Sequence, residues 1–183
     1  MNASVTNRIS TQLHILIPKP CFERPFVCDG LPETCVVMVI GENPAVRLET
    51  DWWTFWDDAS GFDLQKFDSA YAAKRKSEGK RPIPNTRARL NRLRNTGLTF
   101  LETNVYRNEG LGGHKGGVSN ADLLRTFLKE LPRLKAVIAH GSVAKAFLSR
   151  QSLPSHVRYF PMQHFKLESY KNLDAVAREI LES

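Results

Sequence analysis

The run Cys35-Val-Val-Met-Val-Ile40 constrains the fold more than any other stretch of the chain. It is continuously apolar rather than alternating, it is rich in β-branched residues, and Gly41 and Pro44 close it. A strand that is apolar on both faces has to be covered on both faces, so the run predicts a buried central strand. Gly41-Glu42-Asn43-Pro44 then reads as the turn that ends it.

Three more strands are expected at 98–105, 135–139 and 157–161. Helices are expected at 62–76, 86–94 (capped by Thr86), 119–131, 142–148 and 173–181, and the lead-in 1–34 carries one near 7–16. Strands that alternate with helices imply a parallel sheet. The fold expected is therefore α/β: a single domain over 1–183, three-layer α/β/α, with a central, mostly parallel four-stranded sheet. Ligands of such sheets bind outside the carboxyl ends of the strands. That places the segments 41–44, 103–107, 140–142 and 162–165 on one rim. Gly110, Gly112, Gly113, Gly116 and Gly117 predict a flexible loop over 107–117.

The chain has 183 residues, 42% hydrophobic and 25% charged, which suits one soluble domain. No apolar run approaches the roughly 20 residues that span a bilayer. No basic segment followed by an apolar core opens the chain, so a cytoplasmic location is expected, nucleoid-associated if the source is bacterial, with no membrane partner. Cys21, Cys28 and Cys35 are odd in number and lack a fourth ligand nearby, so neither a disulfide framework nor a zinc site is expected. The net charge is +7. Much of it lies in Lys74, Arg75, Lys76, Lys80, Arg81, Arg87, Arg89, Arg92 and Arg94, opposed only by Glu78. Such a run reads either as a phosphate-contacting surface or as a solvated helix face.

Val39-Ile40-Gly41-Glu42-Asn43-Pro44 resembles the first signature of the uracil-DNA glycosylase superfamily. Leu101-Glu102-Thr103-Asn104-Val105-Tyr106 resembles the strand end whose Asn reads the flipped base, and Val137-Ile138-Ala139-His140-Gly141 the strand and turn that follow. Phe160-Pro161-Met162-Gln163-His164 resembles the second signature, whose His faces the base. The order and spacing agree from Val36 to Phe165.

The resemblance implies a monofunctional DNA glycosylase that hydrolyses the N-glycosidic bond of uracil or a related damaged base, acting as a monomer on DNA without a cofactor or metal. Excision requires a base turned out of the stack, a stabilised oxocarbenium-like sugar and an aimed water. Asn43 and Glu42 occupy positions where relatives hold the water-orienting group. A carboxylate can act as a base and an amide can only orient, and the sequence leaves both open. Gly41 and Pro44 frame that turn. His164 would donate to the base oxygen as negative charge develops there. Asn104 would read the base edge, and Phe55, fourteen residues after Gly41, would stack on the base, with Trp53 as its rival. Such stacking contributes about 1–3 kcal/mol per base. His140 reads as strand-end structure. Arg87, Arg89, Arg92, Arg94 and Lys166 are the DNA-contacting candidates.

The chain departs from the family where His164 is followed by Phe165-Lys166-Leu167 instead of Pro-Ser, so the duplex wedge falls to Phe165 or Leu167. No cysteine follows Cys35, so no iron–sulfur cluster is expected. Two further readings stand beside excision. One is a member of the fold that binds nucleic acid without cutting the glycosidic bond. The other is a small-molecule enzyme acting on a nucleotide or nucleoside, although neither GxGxxG nor GxxxxGK[ST] occurs.

Overall fold

A computed structural model describes residues 3–109 and 117–182 of the protein. Its elements run α1 (Ala3–Leu16), β1 (Phe26–Val27), β2 (Val37–Gly41), β3 (Trp56–Asp57), β4 (Gly61–Phe62), α2 (Leu64–Ser77), α3 (Asn85–Arg94), β5 (Phe100–Asn104), α4 (Ala121–Glu130), β6 (Ala136–His140), α5 (Ser142–Leu148), β7 (Arg158–Met162) and α6 (Tyr170–Leu181). The flexible loop expected over 107–117 falls largely on residues 110–116, which lie outside the described residues. Among the described residues no helix is long and apolar enough to cross a membrane. Cys21, Cys28 and Cys35 are buried free thiols.

The main sheet has five strands in the order β1-β5-β2-β6-β7. β2 lies at its centre, parallel to β5 on one side and to β6 on the other, and β7 continues parallel beyond β6. The four-stranded sheet expected from the sequence is thus one strand short. The additional strand, β1, is antiparallel at the outer edge of β5. It has only two residues, inside a proline-rich lead-in, and so carries no periodicity to detect. Side chains of its neighbours hold it. The Thr103 hydroxyl donates to Pro25 O at 2.7 Å, and the Asn120 amide donates to the same oxygen at 2.8 Å. Asn120 precedes α4 without capping it through its side chain. Its amide also bonds Thr103 Oγ1 and Asn104 O, tying the start of α4 to the end of β5.

The continuous apolar run has a simple basis. Met38, Ile40, Leu101, Val137 and Ala139 face one cluster with Leu13 of α1, Phe67 of α2, Phe127 of α4 and Leu148 of α5. Val37, Val39, Phe100, Ala136 and Ile138 face a second cluster with Leu93 of α3 and Leu173 and Ile180 of α6. All five residues of β2 are buried, whereas β7 is largely exposed at the sheet's edge, where Pro161 is tolerated.

Within the basic run, the arginines of α3 find partners inside the protein. α3 offers only Leu90, Leu93 and Arg87 as buried residues, and begins at Asn85 after Pro84 rather than at a Thr86 cap. Its arginines fasten it. Arg87 is buried and donates to both oxygens of Glu102, at 2.7 and 3.4 Å. Arg94 and Arg24 each stand 3.7 Å from the same carboxylate. Burial by itself would raise the Glu102 carboxyl, but Arg87, Arg24 and Arg94 outweigh it and hold its pKa below the ordinary value. Arg89 donates to Glu168 O at 3.0 Å and lies over the Tyr170 ring. Arg92 makes a two-pronged pair with Asp174 at 2.8 and 2.7 Å. The four arginines expected to meet phosphate are engaged within the protein, joining α3 to β5 and α6. A sequence shows the sign of a charge but not its partner, and Glu102 and Asp174 are distant along the chain.

Glu102→Gln is expected to lower the unfolding free energy by about 3–5 kcal/mol, because it leaves buried guanidinium groups without a counter-charge. Arg92→Gln, at an exposed pair, should lower it by less than about 1 kcal/mol. Urea denaturation of both variants checks this, and equal losses would contradict the distinction.

Candidate functional site

The strand register gathers the rim. Gly41 is opposite Asn104 across the β2–β5 pairing, His140 is opposite Met162 across β6–β7, and Ile40 pairs with Ala139 one step before. The pairing continues past the strands, with Val105 N–H donating to Gly41 O and Tyr106 N–H to Glu42 O, each at 3.0 Å. Segments separated by about sixty and a hundred residues thereby meet at one edge.

Gly41 is the pivot. A Cβ at this position would lie 2.7 Å from Asn104 Oδ1 and 2.9 Å from His140 Nε2. Both side chains, from the strands on either side, close over a residue that has none. Asn104 and His140 are both buried. Asn104 Nδ2 and His140 Nδ1 have no hydrogen-bond partner among the described residues. A buried polar atom left unpaired is costly, by about 1–3 kcal/mol, so a polar group that bonded to both of these would be favoured at this location.

His164 joins them. Its ring centroid is 5.2 Å from that of His140, edge to face, and His140 stacks on the buried Phe165 ring at 4.3 Å. Gly141, at φ 87°, makes the turn from β6 into α5 in a conformation that suits glycine, and leaves His164 Cδ2 3.7 Å from where a Cβ would stand. Lys166 N–H donates to His164 Nδ1 at 3.1 Å. Nδ1 is therefore the acceptor, and in the neutral ring the proton sits on Nε2, which becomes a donor. Burial and then the Lys166 ammonium lower the His164 pKa, partly offset by Glu42. For His140, burial followed by His164 lowers the pKa to about 3, with Glu102 opposing. At neutral pH the rim presents two uncharged imidazoles.

Glu42, Asn43 and His164 are half-buried here and Pro44 is buried. Phe55 stands apart. It is buried in the short helix Trp52–Phe55 against Phe62 and Phe67, and with Pro44 it lines a cavity of about 370 Å³. Glu42, Asn43, Asn104, His140 and His164 do not line that cavity. Trp53, the rival for stacking, is occupied by His14 at 4.6 Å and donates its indole N–H to Pro18 O. Of the two wedge candidates, Phe165 is wholly buried and Leu167 is 65% exposed. Lys166 is exposed beside it.

His140, a weaker candidate expected on the rim as strand-end structure, stands over Gly41 beside Asn104 and against His164. The available signal was a polar residue ending an apolar strand next to a glycine.

No family model matches the chain, and no curated protein matches it significantly.

Gly41→Ala should displace the Asn104 and His140 side chains and lower stability by about 1–3 kcal/mol, the usual range for overpacking. Chemical denaturation reads the loss, and an unchanged midpoint would contradict the close approach. His140 also predicts a pH dependence. Its folded pKa lies below the unfolded value of about 6.5, so the unfolded chain binds the proton first as pH falls. Stability should be flat above about pH 6.5 and drop below it, by up to about 1.4 kcal/mol per pH unit for each such histidine. His164 contributes in the same direction. His140→Gln should flatten the slope between pH 6.5 and 5; an unchanged slope would show that His140 does not titrate as a buried neutral ring.

Proposed function

We propose that the protein is a monofunctional DNA glycosylase of the uracil-DNA glycosylase type, hydrolysing the bond between deoxyribose and uracil or a related damaged base, with no cofactor. The observation that carries this reading is the convergence of Asn104 and His140 over Gly41, with His164 against His140, and with Asn104 Nδ2 and His140 Nδ1 buried and without a hydrogen-bond partner among the described residues. The helices that cover both faces of the sheet agree with the three-layer α/β/α arrangement that the reading entails.

An extruded pyrimidine offers an edge with one N–H flanked by carbonyl oxygens. Asn104 carries a matching acceptor and donor on one amide. As the glycosidic bond breaks, the electron pair passes to the base and negative charge grows on the carbonyl oxygen beside the departing nitrogen. The Nε2–H of an uncharged His164 is a donor suited to that charge, and a fixed donor aimed at developing charge is commonly the largest contribution to rate. Water adds to the sugar carbon. Its proton goes to Glu42 if the carboxylate acts as base, or to solvent if Asn43 only orients the water. The exposed Leu167 is the residue available to fill the gap that the extruded base leaves in the duplex, with Lys166 beside it to meet phosphate. In this reading Phe55 is a wall of the adjoining cavity and not the first base contact.

One observation favours the second reading, a protein that binds nucleic acid without excision. The cavity beside Pro44 and Phe55 is not lined by the groups that would perform the chemistry.

Oligonucleotides that carry uracil, hypoxanthine, xanthine or a thymine mismatch, treated with alkali after incubation, test the proposal. Wild type should cleave at one or more of them, and His164→Ala should reduce the rate by about 10²–10³-fold, the loss typical of one preorganised donor. Asn43→Ala and Glu42→Gln, compared in the same assay, identify the group that aims the water. No cleavage by wild type at any base, with binding retained, would replace excision with the second reading.

A further inference from the structure

Strand order fixes what lies between the two groups assigned to the base. Across the rim the strands run β5, β2, β6, β7, and they end in Asn104, Gly41, His140 and Met162 in turn. His164 follows just after β7 and lies against His140, ring to ring at 5.2 Å. A planar base that reaches from Asn104 to His164 therefore has to lie over Gly41 and pass His140. Gly41 offers it no side chain, and His140 does.

The His140 ring is placed to take part. Its Nε2 and Asn104 Oδ1 lie 2.9 and 2.7 Å from one point, the position of the absent Cβ on Gly41, so both side chains border one recess. Both residues are more than nine-tenths buried. The face of Phe165, at 4.3 Å, and the edge contact with His164 hold the imidazole in place. A ring needed only for that packing could be phenylalanine. Histidine instead buries Nδ1 without a hydrogen-bond partner among the described residues, at a cost of about 1–3 kcal/mol. Burial and the neighbouring His164 keep the ring uncharged at neutral pH. An uncharged imidazole carries one N–H in either tautomer, so His140 has one donor to offer a ligand.

We propose that His140 is a second hydrogen-bond donor to the 2-carbonyl oxygen of an extruded pyrimidine, sharing that oxygen with His164. The contact rests on the reading of the rim as a base site and adds a group which that reading leaves idle. A carbonyl oxygen has two lone pairs. In a pyrimidine that leaves through N1, one of them points to the N1 side and the other to the N3 side. Asn104 takes the N3 edge, and His140 stands next to Asn104, so His140 meets the oxygen from the N3 side and His164 from the N1 side. When the bond between the sugar carbon and N1 breaks, its electron pair stays with the base and charge grows on this oxygen. Two fixed N–H donors stabilise that charge more than one. No proton is transferred in this step: both imidazoles keep their N–H, and the base departs as its N1 anion. The substrate class is therefore a 2-oxopyrimidine and not a purine, whose departing nitrogen has no carbonyl beside it.

NMR titration of the full chain with free uracil, 2-thiouracil and 4-thiouracil reads the contact apart from excision. Sulfur is a weak acceptor, so wild type should prefer uracil to 2-thiouracil by about tenfold, the usual worth of one hydrogen bond. His140→Phe keeps the stack on Phe165 and removes both nitrogens. It should erase most of that preference and leave the preference over 4-thiouracil, which reports on Asn104, unchanged. Should His140→Phe fail to fold, wild type with ¹⁵N-labelled histidine still decides: uracil should shift the ring resonances of both His140 and His164, and a shift of His164 alone overturns the proposal. In the oligonucleotide assay His140→Phe should lower kcat for uracil by about tenfold or more. Combined with His164→Ala it should lose less than the product of the two single losses, because both donors act on one oxygen. Excision confined to purines, a 2-thiouracil preference that survives His140→Phe, or fully multiplicative losses overturns the proposal. Uracil excision unimpaired in His140→Phe removes the contact and keeps the glycosylase. Binding through both histidines with no excision keeps the contact and removes the glycosylase. Absence of both binding and excision removes both.

Discussion

At the carboxyl end of β2, the Asn104 amide and the His140 imidazole lie within 3 Å of the place where Gly41 would carry a Cβ. The rest of the rim depends on that approach. Parallel pairing on both sides of β2 brings the ends of β5 and β6 level with it, and the missing side chain lets polar groups from both neighbours meet above the strand. His140 in turn rests on Phe165, and the turn at Phe165 presents His164 and Leu167. A substitution at one residue would therefore disturb groups from three segments of the chain.

Beneath the rim, on the same face of the sheet, Glu102 draws α3 onto β5 through Arg87 and Arg94. α3 has too few apolar residues to dock by hydrophobic burial, and its charges take over that role. A buried ion cluster is a weak source of net stability but a strong penalty on any arrangement that breaks it, so it fixes position more than it adds stability. Arg24, 3.7 Å from Glu102, also reaches the wall of the cavity, which Glu23 and Glu109 line as well.

Rim and cavity adjoin at Pro44. The loop from Gly41 to Pro44 contributes half-buried Glu42 and Asn43 to one and the buried proline to the other. The rim carries uncharged imidazoles, whereas the cavity is lined by Arg24 and Arg107 together with Glu23 and Glu109.

Much of the architecture was legible in the residue order. The run ending at Ile40 could be satisfied only by a strand covered on both sides, and the alternation of strands and helices implied the parallel sheet and its shared rim, because hydrophobic periodicity is a local property of the backbone. Asn104 and His164 could be placed on that rim from strand ends alone. Partnership was not legible. That β1 would add a fifth strand, that Arg87 would turn inward to Glu102, and that Phe55 would line a cavity with Pro44 and Arg24 all depend on residues distant along the chain. Such pairings are decided by the packing of the whole sheet and its helices, where each buried charge or amide takes whichever partner the fold brings within reach.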